Sequence, residues 1–560
     1  MLRRIPLAGF LACLTLPAAA QAPHAPPTQN PWAILSRPST RTPTPTSGAI
    51  TSEDLKSRLY RFAADSMQGR FMGTEGNFKG VEYIASELRR LGLEPAGENG
   101  TFFQTLPWME RGLDSTGTLA AGSSTFHVWT DYVPRDQGLG QRSLDGVPVV
   151  YGGDFADSVG RLSAADAADK VVVLTYSGTV PGNSPGIPNR MFVNRGYPQA
   201  VGILIVGLEA LTPADLTGFR QLSRYLERDG TPPAVPTYLY ASRPFAEAVF
   251  GRSLSGLAVG TRGTPLRGTP AYTTRPSPVP ARNVVAILRG RDPALRNTYV
   301  AIGAHNDHIG MGQPVAFDSQ YVINHLYRPH GAESDIPDLT PEQAAEVNRI
   351  LADVRRATSG ASARPDSIFN GADDDASGTV AVLEIARVLA AGPRPKRTIV
   401  FAATTGEEVG LLGTRWYIQH PAHPLDKTVA NLEIEMIGRP DSLAGGRGKG
   451  WLTGYERSTM GEALAAAGIP LVADKRPEQN FFMRSDNIAF ARLGIPAHTL
   501  SSFNLHTDYH KRSDDVSHAD AGHMAQVIDA AARAVRLLAD GPKPTWKPGG
   551  QPGPAQPRRP

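Results

Sequence analysis

Five groups of histidines and carboxylates follow apolar segments in the second half of the chain. In chain order they are His305 and Asp307 in "TYVAIGAHND", Asp373 to Asp375 in "NGADDDASG", Glu407 and Glu408 in "IVFAATTGEE", Glu433 and Glu435 in "VANLEIEMIG", and His506, Asp508 and His510 in "NLHTDYHKRSDD". Imidazole and carboxylate donors without cysteine are typical of zinc or another borderline divalent ion. The number of carboxylates indicates more than one ion, as in two-metal sites that hold a hydrolytic water.

Each group also has an ordinary structural explanation. Asp373 to Asp375 precede a predicted helix, where carboxylates cap backbone N–H groups and are favoured by the helix dipole. Glu407 and Glu408 could lie in an exposed loop, and Glu433 and Glu435 on the solvent face of an edge strand. The last two histidines could belong to a surface loop. All five groups, however, occur in order at strand ends of one pattern, which favours a shared site.

The segments between these groups alternate between strand and helix patterns. The predicted strands are "NVVAILRG", "TYVAIGAH", "RTIVFAAT" and "VANLEIEMIG", and the predicted helices are "GTVAVLEIARVLAAG" and "AGHMAQVIDAAARAVRLLAD". Two further helices precede them, one capped by Thr51 or Ser52 and one closed by Gly92. The alternation predicts an α/β sheet covered by helices on both faces, with its site at the carboxyl ends of the strands.

Residues 114–274 interrupt this pattern with short β-like segments separated by Gly and Pro. Examples are "GVPVVYGG", "KVVVLTYSG", "AVGILIVG" and "VPTYLY". They predict a separate, mostly β insert in a discontinuous main domain that comprises residues 49–113 and 275–541. A chain of 560 residues is also too long for one simple core, so two globular units are expected.

The two ends of the chain differ from its middle. Residues 1–20 have the basic start, short apolar core and small-residue cleavage site of a signal peptide, so we expect a secreted or periplasmic protein. Lipidation at Cys13, the single cysteine, is less favoured because the apolar core continues beyond it. Residues 21–48 read as a Pro-rich linker, and residues 542–560 as a disordered Pro/Gly-rich tail.

The charge balance and hydropathy exclude two kinds of partner. The net charge of +4 arises from 57 basic and 53 acidic residues, and several of the basic residues lie in the end segments. This small excess predicts no nucleic-acid surface. After the first 20 residues, we find no segment long and apolar enough to predict a membrane span.

Six motifs resemble those of metallopeptidase family twenty-eight (clan MH), the di-zinc aminopeptidases related to glutamate carboxypeptidase and the glutaminyl cyclases. They are "GAHNDHIG", "NGADDDASGTVAVLEIARVL", "RTIVFAATTGEEVGLLGT", "NLEIEMIGRPD", "RSDNIAFARLGIPA" and "DYHKRSDDVSHAD". The resemblance covers about 51–110 and 276–540. It implies a phosphorylase/hydrolase-like mixed sheet sandwiched by helices. The insert, through "NRGYPQAVGILIVG", is similar to a protease-associated (PA) domain.

The resemblance also assigns roles to individual residues around two zinc ions. It implies that Glu407 is the general base and that Asp307 orients a liganding imidazole. The implied metal ligands are His305, Asp374 as the bridge, Glu408, Glu435 and His510. Two features depart from the family: Glu435 stands where Asp is usual, and Lys511-Arg512 replace Thr-Pro. His506 competes with His510 as the last ligand, and His308 could have a structural role alone.

These assignments predict a secreted zinc exopeptidase that acts on peptides, with an aminopeptidase favoured. A carboxypeptidase is the first alternative, because Arg439, Arg484 or Arg512 could bind a substrate carboxylate. A glutaminyl cyclase and a non-catalytic receptor on the same scaffold are less favoured. Two segments keep two interpretations each: the predicted helix at 340–357, within the 311–370 segment, is a surface helix or a lid, and residues 481–487 line a specificity pocket or belong to the core.

Overall fold

The computed structural model describes residues 49–136, 138–178, 187–188, 190–227, 232–328, 334, 338–357 and 365–553. The predicted signal peptide and linker lie outside the described residues, as do residues 554–560 of the predicted tail. Within the described part of the chain, the helices are too short or too polar to cross a membrane.

The described elements are numbered here in chain order. The helices are α1 (Ser52–Phe62), α2 (Glu75–Arg90), α3 (Ala164–Ala167), α4 (Arg190–Gly196), α5 (Pro213–Arg220), α6 (Arg243–Phe250), α7 (Phe317–Tyr327), α8 (Pro341–Ala357), α9 (Gly378–Ala391), α10 (Leu412–Gln419), α11 (Met460–Ala466), α12 (Asn487–Arg492) and α13 (Ala521–Asp540). The strands are β1 (Glu94–Pro95), β2 (Phe103–Leu106), β3 (Trp108–Leu113), β4 (Thr118–Ala121), β5 (Ser124–His127), β6 (Tyr132–Arg135), β7 (Val149–Asp154), β8 (Val171–Thr175), β9 (Gly202–Val206), β10 (Ser223–Leu226), β11 (Thr237–Ala241), β12 (Arg262–Gly263), β13 (Leu266–Arg267), β14 (Tyr272–Pro276), β15 (Ala281–Leu288), β16 (Tyr299–His305), β17 (Met311–Ala316), β18 (Pro365–Ile368), β19 (Thr398–Thr404), β20 (Thr428–Ile434), β21 (Gly450–Leu452), β22 (Leu471–Ala473) and β23 (Ala497–Ser501).

The main domain is built on a nine-stranded sheet in the order β1-β15-β19-β16-β20-β23-β21-β22, with β2 also paired to β15. The strands β19, β16, β20 and β23 run parallel to one another, whereas β15 pairs antiparallel with β19 and β21 pairs antiparallel with β23. The predicted strands and helices of this part of the chain are confirmed, and so is the mixed α/β class. Parallel strands require crossover connections, which the intervening helices supply.

Helices cover both faces of this sheet. Along β15, Val284, Ala286 and Leu288 belong to one hydrophobic cluster, whereas Val285 and Ile287 belong to another. The first cluster contains residues of α1, α2, α9 and α13, and the second contains residues of α10 and α12. Since successive side chains of a strand point to opposite faces, the sheet is buried on both sides. Such a sheet is stiff, and it can hold the side chains at its strand ends in fixed positions.

The chain between β3 and β14 forms three sheets of its own. Strands β3 and β14, which begin and end this part of the chain, pair antiparallel, with Leu113 opposite Tyr272 and Met109 opposite Pro276. Strand β10 pairs with the other edge of β3. A six-stranded sheet follows the order β12-β7-β8-β9-β11-β6, and a three-stranded sheet the order β13-β4-β5. The chain therefore enters and leaves this region, which we call the insert, through adjacent hydrogen-bonded strands.

The 311–370 segment forms a small unit beside the main sheet. Its strands β17 and β18 pair antiparallel, and its helices α7 and α8 pack through Val322, Val347, Ile350 and Leu351. The predicted helix at 340–357 is confirmed as α8, and the Thr340 hydroxyl accepts a hydrogen bond from the Gln343 N–H at 3.3 Å.

The predicted disorder of residues 542–560 is wrong for the part of the tail that the structure describes. The indole Nε1–H of Trp546 donates to the Gly494 carbonyl at 2.9 Å, and the Lys547 N–H donates to the Arg457 carbonyl at 2.9 Å. The Trp546 ring also contacts Phe482 and His498. Composition gave no sign that one large aromatic side chain of the tail, the partly buried Trp546, packs on the main domain and anchors the backbone around it.

Candidate metal centre

Three neighbouring parallel strands deliver the predicted side chains to one edge of the main sheet. His305 is the last residue of β16, Glu407 and Glu408 follow β19 after a short turn, and Glu435 directly follows β20. Because β19, β16 and β20 are adjacent and parallel, their carboxyl ends meet. Asp374 reaches the same place from the turn that precedes α9, and its peptide bond to Asp375 is cis.

The first group of donors comprises His305, Asp374 and Glu435. Nε2 of His305 lies 3.2 Å from Oδ1 of Asp374 and 3.8 Å from Oε1 of Glu435. His305 and Asp374 are buried, whereas Glu435 is partly exposed. The second group comprises Asp374, Glu408, His510 and His308.

The second group uses the other oxygen of Asp374. Nε2 of His510 lies 3.1 Å from Oδ2 of Asp374 and 3.1 Å from Oε2 of Glu408. His305 faces Oδ1 and His510 faces Oδ2, so each carboxylate oxygen of Asp374 is directed at one group. This is the arrangement that a carboxylate bridging two cations requires.

The distances within both groups fit tetrahedral zinc. Zn–N and Zn–O bonds of about 2.0–2.1 Å place neighbouring ligand atoms of a tetrahedron about 3.3 Å apart. The separations above, 3.1 to 3.8 Å, lie close to that value. Nε2 of His305 is buried and, within the described residues, makes no hydrogen bond of its own. A cation between these atoms would give it a partner, so the donor set fits zinc in chemistry and in spacing.

His308 behaves differently from the other donors. Its Nδ1 lies 2.7 Å from Oε1 of Glu408, which is a hydrogen-bond distance and shorter than the spacing of two zinc ligands. The Nδ1–H therefore orients the Glu408 carboxylate, and its Nε2 is directed elsewhere. This contact agrees with the structural role that the sequence analysis left open for His308.

His506 and His510 differ in their contacts. His510 lies beside Asp374 and Glu408, whereas Nε2 of His506 lies 3.0 Å from Oδ2 of Asp373. His506 thus contacts the residue before Asp374 and belongs to neither donor group. Its position favours a structural role in holding the turn that carries Asp374.

The two neighbouring glutamates occupy different electrostatic environments. Burial, together with the carboxylates of Glu435 and Glu408, raises the pKa of Glu407 well above its usual range. Burial also acts against ionisation of Glu408, but His308 and His510 beside it hold its pKa at about 2. The two adjacent glutamates therefore differ in acidity, and Glu408 is the more acidic of the two.

Asp307 connects the first histidine to Glu407. Nδ1 of His305 lies 3.1 Å from the Asp307 carbonyl oxygen and 3.6 Å from its Oδ1. The same Oδ1 accepts a hydrogen bond from the Glu407 N–H at 3.2 Å. Because a carbonyl can only accept, Nδ1 of His305 carries the hydrogen and Nε2 keeps its lone pair for a cation.

Glu433 is not brought into either donor group. It lies within β20, its Oε1 accepts a hydrogen bond from Asn431 at 2.7 Å, and burial beside Asp486 raises its pKa to about 8. It faces Gly303 on β16, where a Cβ atom would approach its Oε2 to 2.3 Å. The strand is central rather than at an edge, so the alternative of a solvent-facing pair of glutamates is wrong.

Two further residues position the turn that carries Asp374, and sequence reasoning did not assign them this role. The carboxylate of Asp514 accepts hydrogen bonds from the Asp373 and Asp374 N–H groups, at 3.1 Å each. The guanidinium of Arg70 is buried and donates to the carbonyls of Asn370 and Gly371, at 2.6 and 2.8 Å. The contacting residues are separated in sequence by 300 residues or more for Arg70 and by about 140 for Asp514. Such contacts cannot be predicted from the spacing of residues along the chain.

A cavity of about 60 Å³ opens beside the donor groups. Asp374, Glu407 and Glu435 lie on its wall with Arg484, and the remaining lining is apolar, aromatic or hydroxylic: Met436, Trp451, Thr453, Phe481, Ser485, Thr499, Ser501, Phe503 and Tyr509. Phe481 is part of this lining, whereas its neighbour Phe482 packs in the core against His498 and Trp546. The pocket interpretation of residues 481–487 thus applies to Phe481, and the core interpretation applies to Phe482.

Comparison with protein families gives one match to this part of the chain. Residues 283–535 match the model of peptidase family M28. The matched range contains every residue of both donor groups, together with Asp307 and Glu407. The match supports the resemblance that the motifs indicated.

Individual relatives align over shorter segments. The chain is 29% identical to aminopeptidase YwaD of Bacillus subtilis over 177 residues, which are 30% of this chain and 37% of that protein. It is 28% identical to a vacuolar membrane protease of Verticillium alfalfae over 180 residues, 31% of this chain and 17% of that protein. The chain therefore spans less than half the length of these curated relatives.

One solved structure also aligns with most of this chain. It is a zinc aminopeptidase from Bacillus subtilis, 17% identical, with a TM-score of 0.42, and the alignment covers 89% of this chain and 97% of that one.

Proposed function

We propose that this protein is a zinc-dependent exopeptidase, and specifically an aminopeptidase that removes N-terminal residues from peptides. The observation that carries the proposal is the pair of donor groups that share Asp374, with Glu407 on the wall of the same cavity. The family match over residues 283–535 and the aligned aminopeptidase of Bacillus subtilis support it. A non-catalytic receptor on this scaffold is disfavoured, because the donors and the candidate base are all in place.

Two zinc ions are the proposed cofactors. His305, Asp374 and Glu435 would hold one, and Asp374, Glu408 and His510 would hold the other. When bound, such ions supply Lewis acidity, which lowers the pKa of a shared water and polarises the scissile carbonyl.

The protein's own part in the reaction is proton transfer and orientation. Glu407 is proposed to accept a proton from the attacking water at a carboxylate oxygen and to donate it to the leaving amine. Its raised pKa makes it a stronger proton acceptor than an exposed glutamate. Asp307 fixes the Glu407 backbone and the His305 ring, so the base and the ligand keep their separation. His308 orients the Glu408 carboxylate through a hydrogen bond from its Nδ1–H.

The contacts of the nearby arginines favour a substrate amine over a substrate carboxylate. The three carboxylates of the cavity, Asp374, Glu407 and Glu435, are already proposed as metal ligands and base, so the argument rests on the arginines. Of the three arginines considered for a carboxypeptidase, Arg439 forms a buried ion pair with Asp508 at 2.7 Å, and Arg512 donates to the Gln313 carbonyl at 2.5 Å. Arg484 alone of these three lines the cavity. A carboxypeptidase that uses Arg484 remains the second candidate.

The remaining parts of the proposal concern the insert and the location of the protein. We propose that the insert is a PA domain, on the basis of its sequence resemblance and its separate sheets. We also propose that the protein is secreted or periplasmic, on the basis of the signal-peptide pattern in residues 1–20.

The activity is tested with matched substrates. Leucine 4-nitroanilide and peptides with a blocked carboxyl terminus should be cleaved, whereas peptides with a blocked amino terminus should not. A chelator should abolish cleavage, and zinc should restore it with two ions per chain by elemental analysis. Cleavage of amino-blocked peptides from their carboxyl end would favour the carboxypeptidase, and activity without metal would refute the proposal.

The division of labour between the adjacent glutamates is tested by separate substitutions. Glu407→Gln should keep both ions but lower kcat by about 10²- to 10⁴-fold, since it removes the base alone. Glu408→Gln should lower the zinc content, because an amide is a poor substitute for an anionic ligand. Near-normal turnover in Glu407→Gln would show that another group is the base.

A further inference from the structure

Two adjoining cavities lie where the insert meets the main domain. One, of about 460 Å³, is lined by Phe71, Trp108, Leu222, Arg224, Tyr225 and Val409 among others. The other, of about 360 Å³, is lined by Phe71, Arg224, Ile309, Gly310 and Met311 among others. Because Phe71 and Arg224 line both, the cavities adjoin each other, and we call the two together the insert groove. Its walls come from strand β10 of the insert and from loops of the main domain.

The insert groove borders the loops of the second donor group. Val409 follows Glu408 directly, and Ile309 follows His308 directly. Consecutive Cα atoms are about 3.8 Å apart, so the groove wall begins one residue from the candidate metal centre on two separate loops. The cavity that holds Glu407 and Glu435 is much smaller, at about 60 Å³.

The lining of the insert groove combines apolar side chains with the polar groups of Gln68, Thr74 and Tyr225 and with one cation. Among the described residues that line it, Arg224 carries the one charge, and Leu222 and Met311 expose 44% and 56% of their surface. Arg224 contacts Glu110 through a single nitrogen at 3.4 Å, whereas Arg275 binds the other oxygen of Glu110 through two nitrogens at 3.0 and 3.2 Å. Glu110 thus keeps a stronger partner if Arg224 turns toward a ligand in the groove.

We propose that the insert groove binds the leaving side of a peptide substrate, the residues that follow the scissile bond. The inference rests on the proposed function, since it assigns the small cavity to the N-terminal residue of the substrate peptide and the groove to the residues that follow. The preferred substrates are peptides with bulky apolar residues after the first position. Arg224 binds an oxygen acceptor on this segment, either a backbone carbonyl or the terminal carboxylate of a short peptide. The insert then determines which peptides are cleaved, although it supplies no metal ligand.

The test compares substrates that do and do not extend into the groove. The tetrapeptide Leu-Phe-Leu-Leu, as free acid and as amide, is measured beside leucine 4-nitroanilide with the zinc-loaded full chain. Leu222→Ser removes apolar lining from a half-exposed position, and Arg224→Gln removes the cation. In each variant the ratio of kcat/KM for the tetrapeptide to kcat/KM for the nitroanilide should fall about five- to tenfold, mostly through KM. Arg252→Gln, an exposed insert arginine outside both cavities, is the matched control and should keep the parent ratio.

The two peptide forms distinguish the acceptor for Arg224. A loss confined to the free acid identifies the terminal carboxylate, and an equal loss in both forms identifies a backbone carbonyl. If both groove variants keep the parent's ratio of tetrapeptide to nitroanilide kcat/KM, the proposal is overturned. This holds even if Leu222→Ser changes the oligomeric state, because a change of oligomeric state alone does not support the proposal. If the parent cleaves the nitroanilide but shows no gain from the added residues, the groove assignment fails while the proposed function stands. A parent that cleaves neither substrate refutes the function itself.

Discussion

Glu435 lies just beyond the end of β20, and its carboxylate lies farther from His305 than that of Asp374 does. Its Oε1 lies 3.8 Å from Nε2 of His305, whereas Asp374 approaches the same nitrogen to 3.2 Å. The resemblance implied Asp at this position. The glutamate side chain is one methylene longer than aspartate, so it still reaches the candidate metal centre if the end of β20 lies slightly farther from that centre. We therefore expect the length of this one side chain to determine whether the first of the two proposed zinc ions is held.

Glu435→Asp tests that interpretation. The substitution withdraws the carboxylate by roughly 1.5 Å, the length of one C–C bond, whereas metal–ligand distances tolerate deviations of only about 0.2 Å. The variant should bind about one zinc ion per chain instead of two and lose most of its turnover. Elemental analysis after dialysis gives the metal content, and Glu456→Asp at an exposed position provides the control. If Glu435→Asp retains two ions, the strand end lies closer to the centre than inferred.

At the scale of elements, the order of strands and helices could be read from hydrophobic patterning, and so could the convergence of their polar ends. His305, Glu408 and Glu435 follow predicted parallel strands, and the rule that sites form at carboxyl ends brings them together. The supporting contacts could not be read in this way. Arg70 and Asp514 bind backbone atoms of a turn distant in sequence, and such contacts depend on the three-dimensional path of the chain. The aromatic anchor Trp546 was missed because composition outweighed a single residue.

Arg70 shows how much one such contact stabilises. Its guanidinium is fully buried, and it donates to the carbonyls of Phe62, Asn370 and Gly371 at 3.2, 2.6 and 2.8 Å. Arg70→Met would leave three buried acceptors without their donor, so we expect the free energy of unfolding to fall by about 3–5 kcal/mol. Zinc affinity should fall as well, because the turn that carries Asp374 loses its support.

Urea unfolding and zinc titration of the variant measure both effects. Arg61→Met is the matched control, since Arg61 is exposed and its guanidinium lies 5.1 Å from the centre of the Tyr83 ring. Its unfolding free energy should change by no more than about 0.5 kcal/mol. Equal losses in the two variants would mean that the carbonyls around Arg70 find other partners.

At the scale of the whole molecule, the described part of the tail contacts the core of the main domain through buried His498. Nδ1 of His498 lies 2.7 Å from the Thr453 carbonyl, Nε2 lies 2.7 Å from the Ser458 hydroxyl, and the ring contacts Trp546. The carbonyl can only accept, so Nδ1 carries the hydrogen and Nε2 accepts from Ser458. Both nitrogens of the neutral ring are thus satisfied, and a second proton would displace the serine hydroxyl.

This neutral histidine makes the stability of the protein depend on pH. Burial lowers the pKa of His498 from 6.5 to about 4. Between these values the unfolded chain binds a proton that the folded chain does not. The contribution of His498 is therefore fully present above pH 6.5 and is lost as the pH falls toward 4. At pH 5 the loss corresponds to about 2 kcal/mol, since each pKa unit is worth about 1.4 kcal/mol.

His498→Gln isolates this contribution, because an amide offers one donor and one acceptor but does not titrate. Urea unfolding at pH 7 and pH 5 should show a drop in unfolding free energy that is about 2 kcal/mol smaller in the variant than in the parent. His127→Gln, at an exposed position of the insert, should keep the full drop of the parent. If His498→Gln and the parent lose the same stability on acidification, His498 is not neutral in the folded protein. The tail anchored beside it would then have to accommodate a buried charge.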